Sequence, residues 1–294
     1  MAELSLPLRY LCFSGGGERG QLHVGAMRAL EHTGAVQRTH LRGVSGVSAG
    51  SFMALALALG VETPRIAEEA MLLDPFLDDP VMRMLRSKAP SASVALQAMN
   101  RFMRTGGVLD AESIREQLVA SLERLREGAS GITLGDLQRR GHVQHVRILA
   151  YSLLRSKIVT VPPHFLLPDA LLASMALPFL IPAVHDDLLD AGLRQCVDPD
   201  VFHDLDPGRS RTLAVVLRTT KIEPVKFGGK PMAYAMGVLR EIMATGTRNA
   251  LDDTPTRVLK IFTDWPELKQ GSREQREAMQ HEGFMLALAQ LEVA

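Results

Sequence analysis

Cysteine and aromatic residues are scarce in this sequence, which limits how the chain can be stabilised. The 294 residues include two cysteines and one tryptophan, and aromatic side chains make up 5% of the total. Cys12 and Cys196 show no metal-binding spacing, and Cys12 stands in an apolar run, so we expect it in the core. A chain of this length can bury a sizeable core without disulfide bonds.

An excess of one charge is also missing, as are long apolar runs. The 33 basic and 33 acidic side chains cancel, which argues against a strongly basic nucleic-acid-binding surface. The longest apolar run, residues 52–59, is too short to span a bilayer. The first residues lack the basic head and apolar core of a signal peptide. We therefore expect a cytoplasmic protein whose contacts with lipid, if it makes any, are peripheral.

Strand-like apolar runs alternate with helical stretches, which predicts an α/β layered fold. We expect one domain over residues 1–294, with a helical insertion at 62–130 and a C-terminal helical portion at 220–294. Strands are predicted at 10–13, 41–44, 146–151, 157–161, 213–217 and 258–262. Helices are predicted at 21–32, 49–59, 64–71, 92–104, 111–126, 169–175, 231–249 and 273–289.

Two glycine-framed segments near the start of the chain carry the clearest functional signal. The first, Ser14-Gly15-Gly16-Gly17-Glu18-Arg19-Gly20, offers consecutive backbone N–H groups before a helix, which is typical of an anion site. The second, Gly46-Val47-Ser48-Ala49-Gly50, has the form of a nucleophile elbow, where a strand turns sharply into a helix and exposes the serine Oγ. Together they indicate acyl transfer through a tetrahedral oxyanion.

A serine nucleophile needs a group that accepts its proton, and the sequence offers two kinds. One is a histidine in a Ser-His-Asp triad, for which the candidates are His164, His185, His203 and His281. The other is Asp190, which ends an apolar stretch and precedes small residues, as at a strand end that enters a pocket. A free aspartate, with a pKa of about 3.9, is a weak base, so the oxyanion site would then have to supply much of the rate.

Residues 80–109 contain no Asp or Glu, although the chain has 33 acidic residues. Within 80–104, cations alternate with adaptable apolar side chains: Arg83, Arg86, Lys88, Arg101 and Arg104 with Met82, Met84, Met99, Phe102 and Met103. This composition would suit a surface or lid that meets anionic lipid. The alternative is an apolar stripe packed on the core, with solvated arginines outside it.

The motifs together resemble those of the patatin-like phospholipase family, whose members are lipid acyl hydrolases with a Ser–Asp dyad. Gly15–Gly20 is similar to the family's glycine-rich oxyanion loop, and Gly46–Gly50 to its elbow. Residues 173–182 are similar to its Ala-Ser-x-Ala-x-Pro stretch, and Asp190-Ala191-Gly192 takes the place of its Asp-Gly-Gly or Asp-Gly-Ala motif. Residues 107–110, Gly-Val-Leu-Asp before a helix, are also family-like. The matches keep the family's order over roughly three quarters of the chain.

The resemblance implies a three-layer α/β/α fold with a central, mostly parallel sheet and a helical insertion or lid. It implies that Ser48 is the nucleophile, that Asp190 is the general base, and that a phospholipid or lysophospholipid is the substrate, with no cofactor and no metal. The implied oxyanion donors are the N–H groups of Gly15, Gly16 and Gly17. The implied supporting residues are Arg19, Gly46, Gly50 and Gly192. Arg19 would either order the loop or contact phosphate.

The sequence departs from the family pattern at two places. Ala191 stands where the family usually has Gly, so a positive φ there would cost about 1 kcal/mol or more. The usual Asn-Pro after the motif is altered to Cys196-Val197-Asp198-Pro199. Two alternatives to acyl hydrolysis stay open: acyl transfer to an alcohol or thiol, and a catalytically weak protein that binds lipid or a protein partner through 80–104. The sequence does not indicate an oligomeric state.

Overall fold

The computed structural model describes residues 7–73, 79–82, 91–219, 231–252, 254–265 and 271–293. Within these residues, seven strands form one sheet in the order β4-β3-β2-β1-β6-β7, and β5 also pairs with β3. The strands are β1 (Tyr10–Phe13), β2 (Gly43–Val47), β3 (His145–Ser152), β4 (Lys157–Thr160), β5 (Leu188–Asp190), β6 (Thr212–Thr219) and β7 (Arg257–Thr263). Only β4 and β5 run antiparallel to β3, so the sheet is mostly parallel.

Helices connect the strands and cover the sheet on both faces. They are α1 (Gln21–His32), α2 (Ala49–Ala58), α3 (Thr63–Leu72), α4 (Ala92–Thr105), α5 (Ala111–Leu125), α6 (Leu134–Arg140), α7 (Leu167–Met175), α8 (Pro231–Asp252) and α9 (Arg273–Val293). The helices α3, α4 and α5 lie within the predicted insertion at 62–130. The C-terminal portion adds β7 to the sheet as well as α8 and α9.

The alternation of side chains along β1 explains the three layers. Because successive strand residues point to opposite faces, Leu11 and Phe13 join the large core cluster that includes residues of α1, α2 and α9. Tyr10 and Cys12 join a smaller cluster on the other face, with Phe202 and residues of β6 and α8. The fold is the three-layer α/β/α arrangement, and Cys12 is a core residue, as the sequence predicts.

The structure differs from the predicted elements at three places. The three-residue strand β5, Leu188–Asp190, has no counterpart among the predicted strands, because so short a run becomes a strand only by pairing with β3. The strand predicted at 41–44 is β2 at Gly43–Val47, which continues through the small residues Ser45 and Gly46 because β1 and β3 pair with both of its edges. The helix α6 has no predicted counterpart. Its signal in the sequence is a capping box, in which Thr133 and Asp136 each accept a hydrogen bond from the other's backbone N–H.

Candidate active site

Ser48 occupies a sharp turn between β2 and α2. Its backbone angles, φ 52° and ψ −124°, are strained for a residue with a side chain. The flanking glycines permit the turn: a Cβ on Gly46 would lie 2.3 Å from the Gly50 carbonyl oxygen, and one on Gly50 would lie 2.4 Å from the Phe13 carbonyl oxygen. The segment therefore has the geometry of a nucleophile elbow, with the serine at the positive end of a helix dipole.

The elbow is held by a buried serine from α7. The Ser48 backbone N–H donates to Ser174 Oγ at 3.0 Å, and Ser174 Oγ donates to the Leu149 carbonyl at 2.6 Å. Since a hydroxyl has a single hydrogen, the 2.6 Å contact between Ser51 Oγ and Ser174 Oγ has Ser51 as its donor. One side chain thus ties the strained residue to β3 and to the first turn of α2.

The glycine loop after β1 lies directly against Ser48. A Cβ on Gly15 would be 3.3 Å from Ser48 Cβ, and one on Gly20 would be 3.0 Å from Ala49 Cβ. β1 and β2 are parallel neighbours, paired up to Phe13↔Gly46, so their carboxyl ends meet at one edge of the sheet. The two glycine-framed motifs that the sequence singled out are adjacent in the structure.

The three loop N–H groups are not equivalent. Gly15 N–H donates to the Cys196 carbonyl at 2.8 Å, so it is already engaged in this structure. Among the described residues, the N–H groups of Gly16 and Gly17 make no such hydrogen bond. Gly17 has φ 55°, a conformation that glycine adopts without strain. Of the three predicted donors, Gly15 is therefore the one whose N–H is already bonded within the protein.

Arg19 is a buried part of the glycine loop. Its side chain is 7% exposed, and both its backbone N–H and its Nε donate to the Gly16 carbonyl, at 3.1 and 3.3 Å. Of the two roles implied for this residue, these contacts support ordering of the loop. The neighbouring Glu18 forms an ion pair with Arg276 of α9 at 2.9 Å, which fixes the far side of the loop.

Pairing along β3 brings Ser48 and Asp190 to the same place. β4 pairs with one edge of β3, and β2 pairs with the other edge up to Val47↔Leu149. β5 pairs with β3 from Ala150↔Asp190 onward, and the same β3 residues also pair with β4. Because β4 occupies one edge of β3, β5 must lie on the other edge, directly after the residues that pair with β2. Along β3, Asp190 therefore takes the place that follows Val47, at the point where Ser48 begins the turn into α2.

The carboxylate of Asp190 is fully buried and oriented by the residues that follow it. Its Oδ1 accepts from Gly192 N–H at 2.7 Å, which assigns Gly192 a specific contact with the candidate base. Asp190 N–H donates to the Ala176 carbonyl at 2.9 Å. The segment that includes Ser174 and Ala176 thus contacts both Ser48 and Asp190, which explains its place among the predicted motifs.

Ala191 does not have the strain that the sequence raised as a concern. It begins a short 3-10 helix, Ala191–Leu193, and its φ is not positive. Its methyl group is fully buried against Val47 and Leu149. The alanine therefore adds buried apolar contact without backbone strain.

The four candidate histidines have exposed side chains. His164 and His185 both pack on the ring of Phe165, with ring centroids 5.2 and 5.0 Å apart. His281 lies on α9, and His203 lies in a turn before β6. Nothing in these contacts places a histidine beside Ser48, whereas Asp190 pairs with β3 at the residue after the one that pairs with Val47.

A cleft of about 980 Å³ lies beside the segment that follows Asp190. The turn between β3 and β4 forms one wall and α8 forms another, and its charged side chains are Lys157, Arg194, Asp198, Asp200 and Glu241. Burial raises the pKa of the Asp198 carboxyl. Ser48 is not part of the lining, so we do not assign this cleft to the acyl chain. No three His, Cys, Asp or Glu side chains cluster as metal ligands in the described parts of the chain.

Sequence reasoning missed three contributors to this arrangement: Ser174, the Cys196 carbonyl and the buried His23. His23 donates from Nε2 to the Ser14 carbonyl at 2.7 Å. The sequence signal for Ser174 was its place in the Ala-Ser-x-Ala-x-Pro stretch. The carbonyl of Cys196 and the imidazole of His23 act through contacts that no local pattern specifies.

Comparisons with known proteins bear on the family and the fold. The family model described as patatin-like phospholipase matches residues 11–202, more than half of the chain. No protein of curated function matches the chain. Among solved structures, VipD from Legionella pneumophila is similar at 18% identity and a TM-score of 0.57, over 98% of this chain and 67% of VipD. ExoU, titled a type III effector protein, is similar at 17% identity and a TM-score of 0.47, over 97% of this chain and 53% of ExoU.

Proposed function

Because the chain belongs to the patatin-like phospholipase family, we propose that it is a lipolytic acyl hydrolase that cleaves fatty-acyl esters of phospholipids or lysophospholipids. The observation that supports the proposal is the strand register, in which the glycine loop and Ser48 follow neighbouring strands and Asp190 pairs with β3 beside the end of β2. Each component has a role in ester hydrolysis, and Asp190 lies far along the sequence from the glycine loop and Ser48.

In the first half of the reaction, Ser48 Oγ attacks the ester carbonyl carbon and Asp190 accepts the serine proton. The N–H groups of Gly16 and Gly17 stabilise the oxyanion of the tetrahedral intermediate. When the C–O bond to the glycerol breaks, Asp190 returns the proton to the leaving alcohol. A fatty-acyl ester of Ser48 remains.

In the second half, water attacks the acyl-serine and gives a proton to Asp190. Collapse of the second tetrahedral intermediate returns this proton to Ser48 Oγ and releases the fatty acid. Because Asp190 is fully buried and held by Gly192 N–H, its carboxylate keeps one orientation through both halves. Fixed orientation is the main contribution that a weak base can make.

We further propose that α4 contacts the lipid surface that holds the substrate. Only Ala98 of this helix is buried. Leu96, Met99 and Met103 are 56%, 60% and 78% exposed, and their spacing puts them on one helix face. We call these three residues the α4 face. Residues 83–90 of the predicted lipid-contacting segment lie outside the described residues.

The α4 face is linked to the site by Phe102, whose ring centroid lies 6.3 Å from that of the half-exposed Phe179. Phe179 belongs to the segment that holds Ser48 and Asp190. Arg101 is occupied by Asp79 and the Val108 carbonyl, whereas Arg104 is exposed and can meet an anionic headgroup. None of the described helices has the length and apolar character needed to cross a bilayer.

The test is fatty-acid release from mixed phospholipid vesicles, with a chelator present, by the wild type, Ser48→Ala and Asp190→Asn. We expect both variants to lose about 10³-fold or more in turnover. Ser45→Ala, three residues earlier on β2, is the matched control and should retain activity. A wild type that hydrolyses neither vesicles nor soluble esters would contradict the proposal. Full activity of Asp190→Asn would contradict the assignment of the base.

The lipid contact has a separate test. Met99→Gln combined with Met103→Gln should reduce binding to anionic vesicles and leave hydrolysis of a soluble short-chain ester unchanged. Met285→Gln on α9, where the side chain is 48% exposed, is the control for loss of an exposed methionine. Vesicle binding that is equal for the α4 variant and for wild type would overturn this contact.

A further inference from the structure

His23 is a buried histidine on α1 that lies against the glycine loop. Its side chain is fully buried, and the Nε2 contact with the Ser14 carbonyl requires the proton to be on Nε2, because a carbonyl only accepts. Among the described residues, no hydrogen-bond partner lies near Nδ1. Burial, reinforced by the charge of Arg19, lowers the pKa of His23 to about 4, although its bond to Ser14 opposes the shift. The imidazole is therefore neutral at pH 7, with one defined tautomer.

Each peptide carbonyl from Ser14 to Gly16 accepts a hydrogen bond from within the protein. The Ser14 carbonyl accepts from His23, the Gly15 carbonyl accepts from Ser14 Oγ at 3.0 Å, and the Gly16 carbonyl accepts from Arg19. Ser14 Oγ is itself fixed, because it accepts from Leu217 N–H of β6 at 3.0 Å. No carbonyl of this stretch is left to rotate freely.

Anchored carbonyls determine where the loop N–H groups point. In a planar trans peptide, the C=O of one residue and the N–H of the next point in opposite directions. The His23 bond to the Ser14 carbonyl therefore aims Gly15 N–H at Cys196, six residues after Asp190. Likewise, the bonds to the Gly15 and Gly16 carbonyls set the directions of Gly16 and Gly17 N–H. His23 holds the first peptide of the series.

We propose that His23 is a positioning residue for ester hydrolysis: by fixing the Ser14–Gly15 peptide, it ties the glycine loop to the segment that follows Asp190 and so anchors the start of the stretch that carries the Gly16 and Gly17 donors. This inference rests on the proposed acyl hydrolase function. His23 does not touch the substrate. It acts on turnover through the direction of backbone N–H groups.

Two substitutions separate this role from simple packing. Gln places its Nε2 about as far from Cα as the histidine Nε2, so His23→Gln keeps the donor to Ser14, whereas His23→Leu fills the space without one. On a soluble ester, we expect His23→Leu to lose 10- to 100-fold in kcat with KM nearly unchanged, as a small misplacement of catalytic groups does. His23→Gln should stay within a few-fold of wild type. If His23→Leu does not fold, His23→Asn, whose donor is too short to reach Ser14, replaces it.

Inhibitor binding gives a readout that depends on the oxyanion. A fatty-acyl trifluoromethyl ketone forms a tetrahedral oxyanion adduct with the serine, and a non-reactive ether analogue of the substrate does not. His23→Leu should bind the ketone 10- to 100-fold more weakly and the ether equally well, and His23→Gln should restore the ketone affinity. Equal losses for both ligands, or a Gln variant as impaired as the Leu variant, would overturn the positioning role.

Hydrogen exchange at Gly15 keeps the inference testable independently of hydrolysis. Loss of the His23 donor should speed exchange of the Gly15 amide by at least about 10-fold, while amides in β6 stay protected. Unchanged exchange in His23→Leu would overturn the inference even if the ester is hydrolysed. A wild type that neither hydrolyses esters nor binds the ketone, but shows the exchange effect, would refute the proposed function and leave the anchoring of this peptide intact.

Discussion

Removing the Ser174 hydroxyl is the sharpest test of how the elbow is held. Ser174→Ala deletes three hydrogen bonds, to Ser48 N–H, to Ser51 Oγ and to the Leu149 carbonyl. The alanine leaves a buried carbonyl and the backbone N–H of a strained residue without partners. Ser51→Ala is the matched control, because it deletes one of these bonds and leaves both backbone groups paired.

The expected effects can be worked out from this difference. A stranded buried polar group costs about 1–3 kcal/mol, so we expect Ser174→Ala to lower the free energy of unfolding by about 2–4 kcal/mol. Ser51→Ala should cost about 1 kcal/mol. The φ of 52° at Ser48 stores on the order of 1–3 kcal/mol of strain, which the unanchored elbow can release by relaxing. Relaxation would move Oγ away from Asp190, so turnover should fall about 100-fold in Ser174→Ala.

Stability can be read from urea unfolding followed by the fluorescence of Trp265, the one tryptophan in the chain. Trp265 reports on packing between the end of β7 and α9, because its Nε1 donates to Glu282 at 2.8 Å. Turnover is measured on a soluble ester under conditions where each variant is folded. The reasoning is refuted if Ser174→Ala costs no more stability than Ser51→Ala and retains wild-type turnover.

Three further predictions concern the residues around this elbow. Ala191→Gly should lower the free energy of unfolding by about 1 kcal/mol, because the buried methyl group is lost and Ala191 has no positive φ for glycine to relieve. A higher free energy of unfolding for this variant in urea would contradict the prediction. Gly46→Ala should abolish folding or ester hydrolysis, because the new Cβ would collide with the Gly50 carbonyl oxygen. Gly208→Ala is the control: a Cβ there would have no atom within 4 Å, so this variant should be soluble and active. The pKa of His23 is about 4 in the folded protein, against an ordinary value of 6.5. As pH falls below 6.5, the unfolded chain therefore takes up a proton at this histidine before the folded chain does. The free energy of unfolding should in consequence fall by about 3 kcal/mol between pH 6.5 and pH 4. Urea unfolding at several pH values should show a weaker decline in His23→Gln, and equal declines would disprove this source of acid sensitivity.

The motifs that the sequence identified are those in which neighbouring residues specify the geometry. The glycines around Ser48 stand where backbone atoms approach too closely for a side chain, and Gly17 has a positive φ that favours glycine. A short spacing rule captures this kind of constraint. The same holds for Asp190, which ends an apolar stretch and precedes small residues that turn the chain back. These residues could be named without any knowledge of the sheet.

The contacts that complete the arrangement depend on partners far away in the sequence. Ser174 is 126 residues from Ser48, and Leu217 is 203 residues from Ser14. β5 contributes only three residues, and its pairing with β3 follows from β2 ending at Val47, which is a property of the sheet. Single-sequence patterns carry no information on such pairing. For this reason the sequence proposed residues for the chemistry but could not predict the contacts that hold them.

Backbone hydrogen bonds join the three parts of the site into one unit. Gly15 N–H connects the glycine loop to the Cys196 carbonyl, Asp190 N–H connects to the Ala176 carbonyl, and Ser48 N–H connects to Ser174. A displacement of any one part is therefore passed to the others. It follows that substitutions in this network should affect turnover more than lipid preference. Lipid preference should instead follow exposed side chains such as those of the α4 face, because these can change without moving the reacting groups.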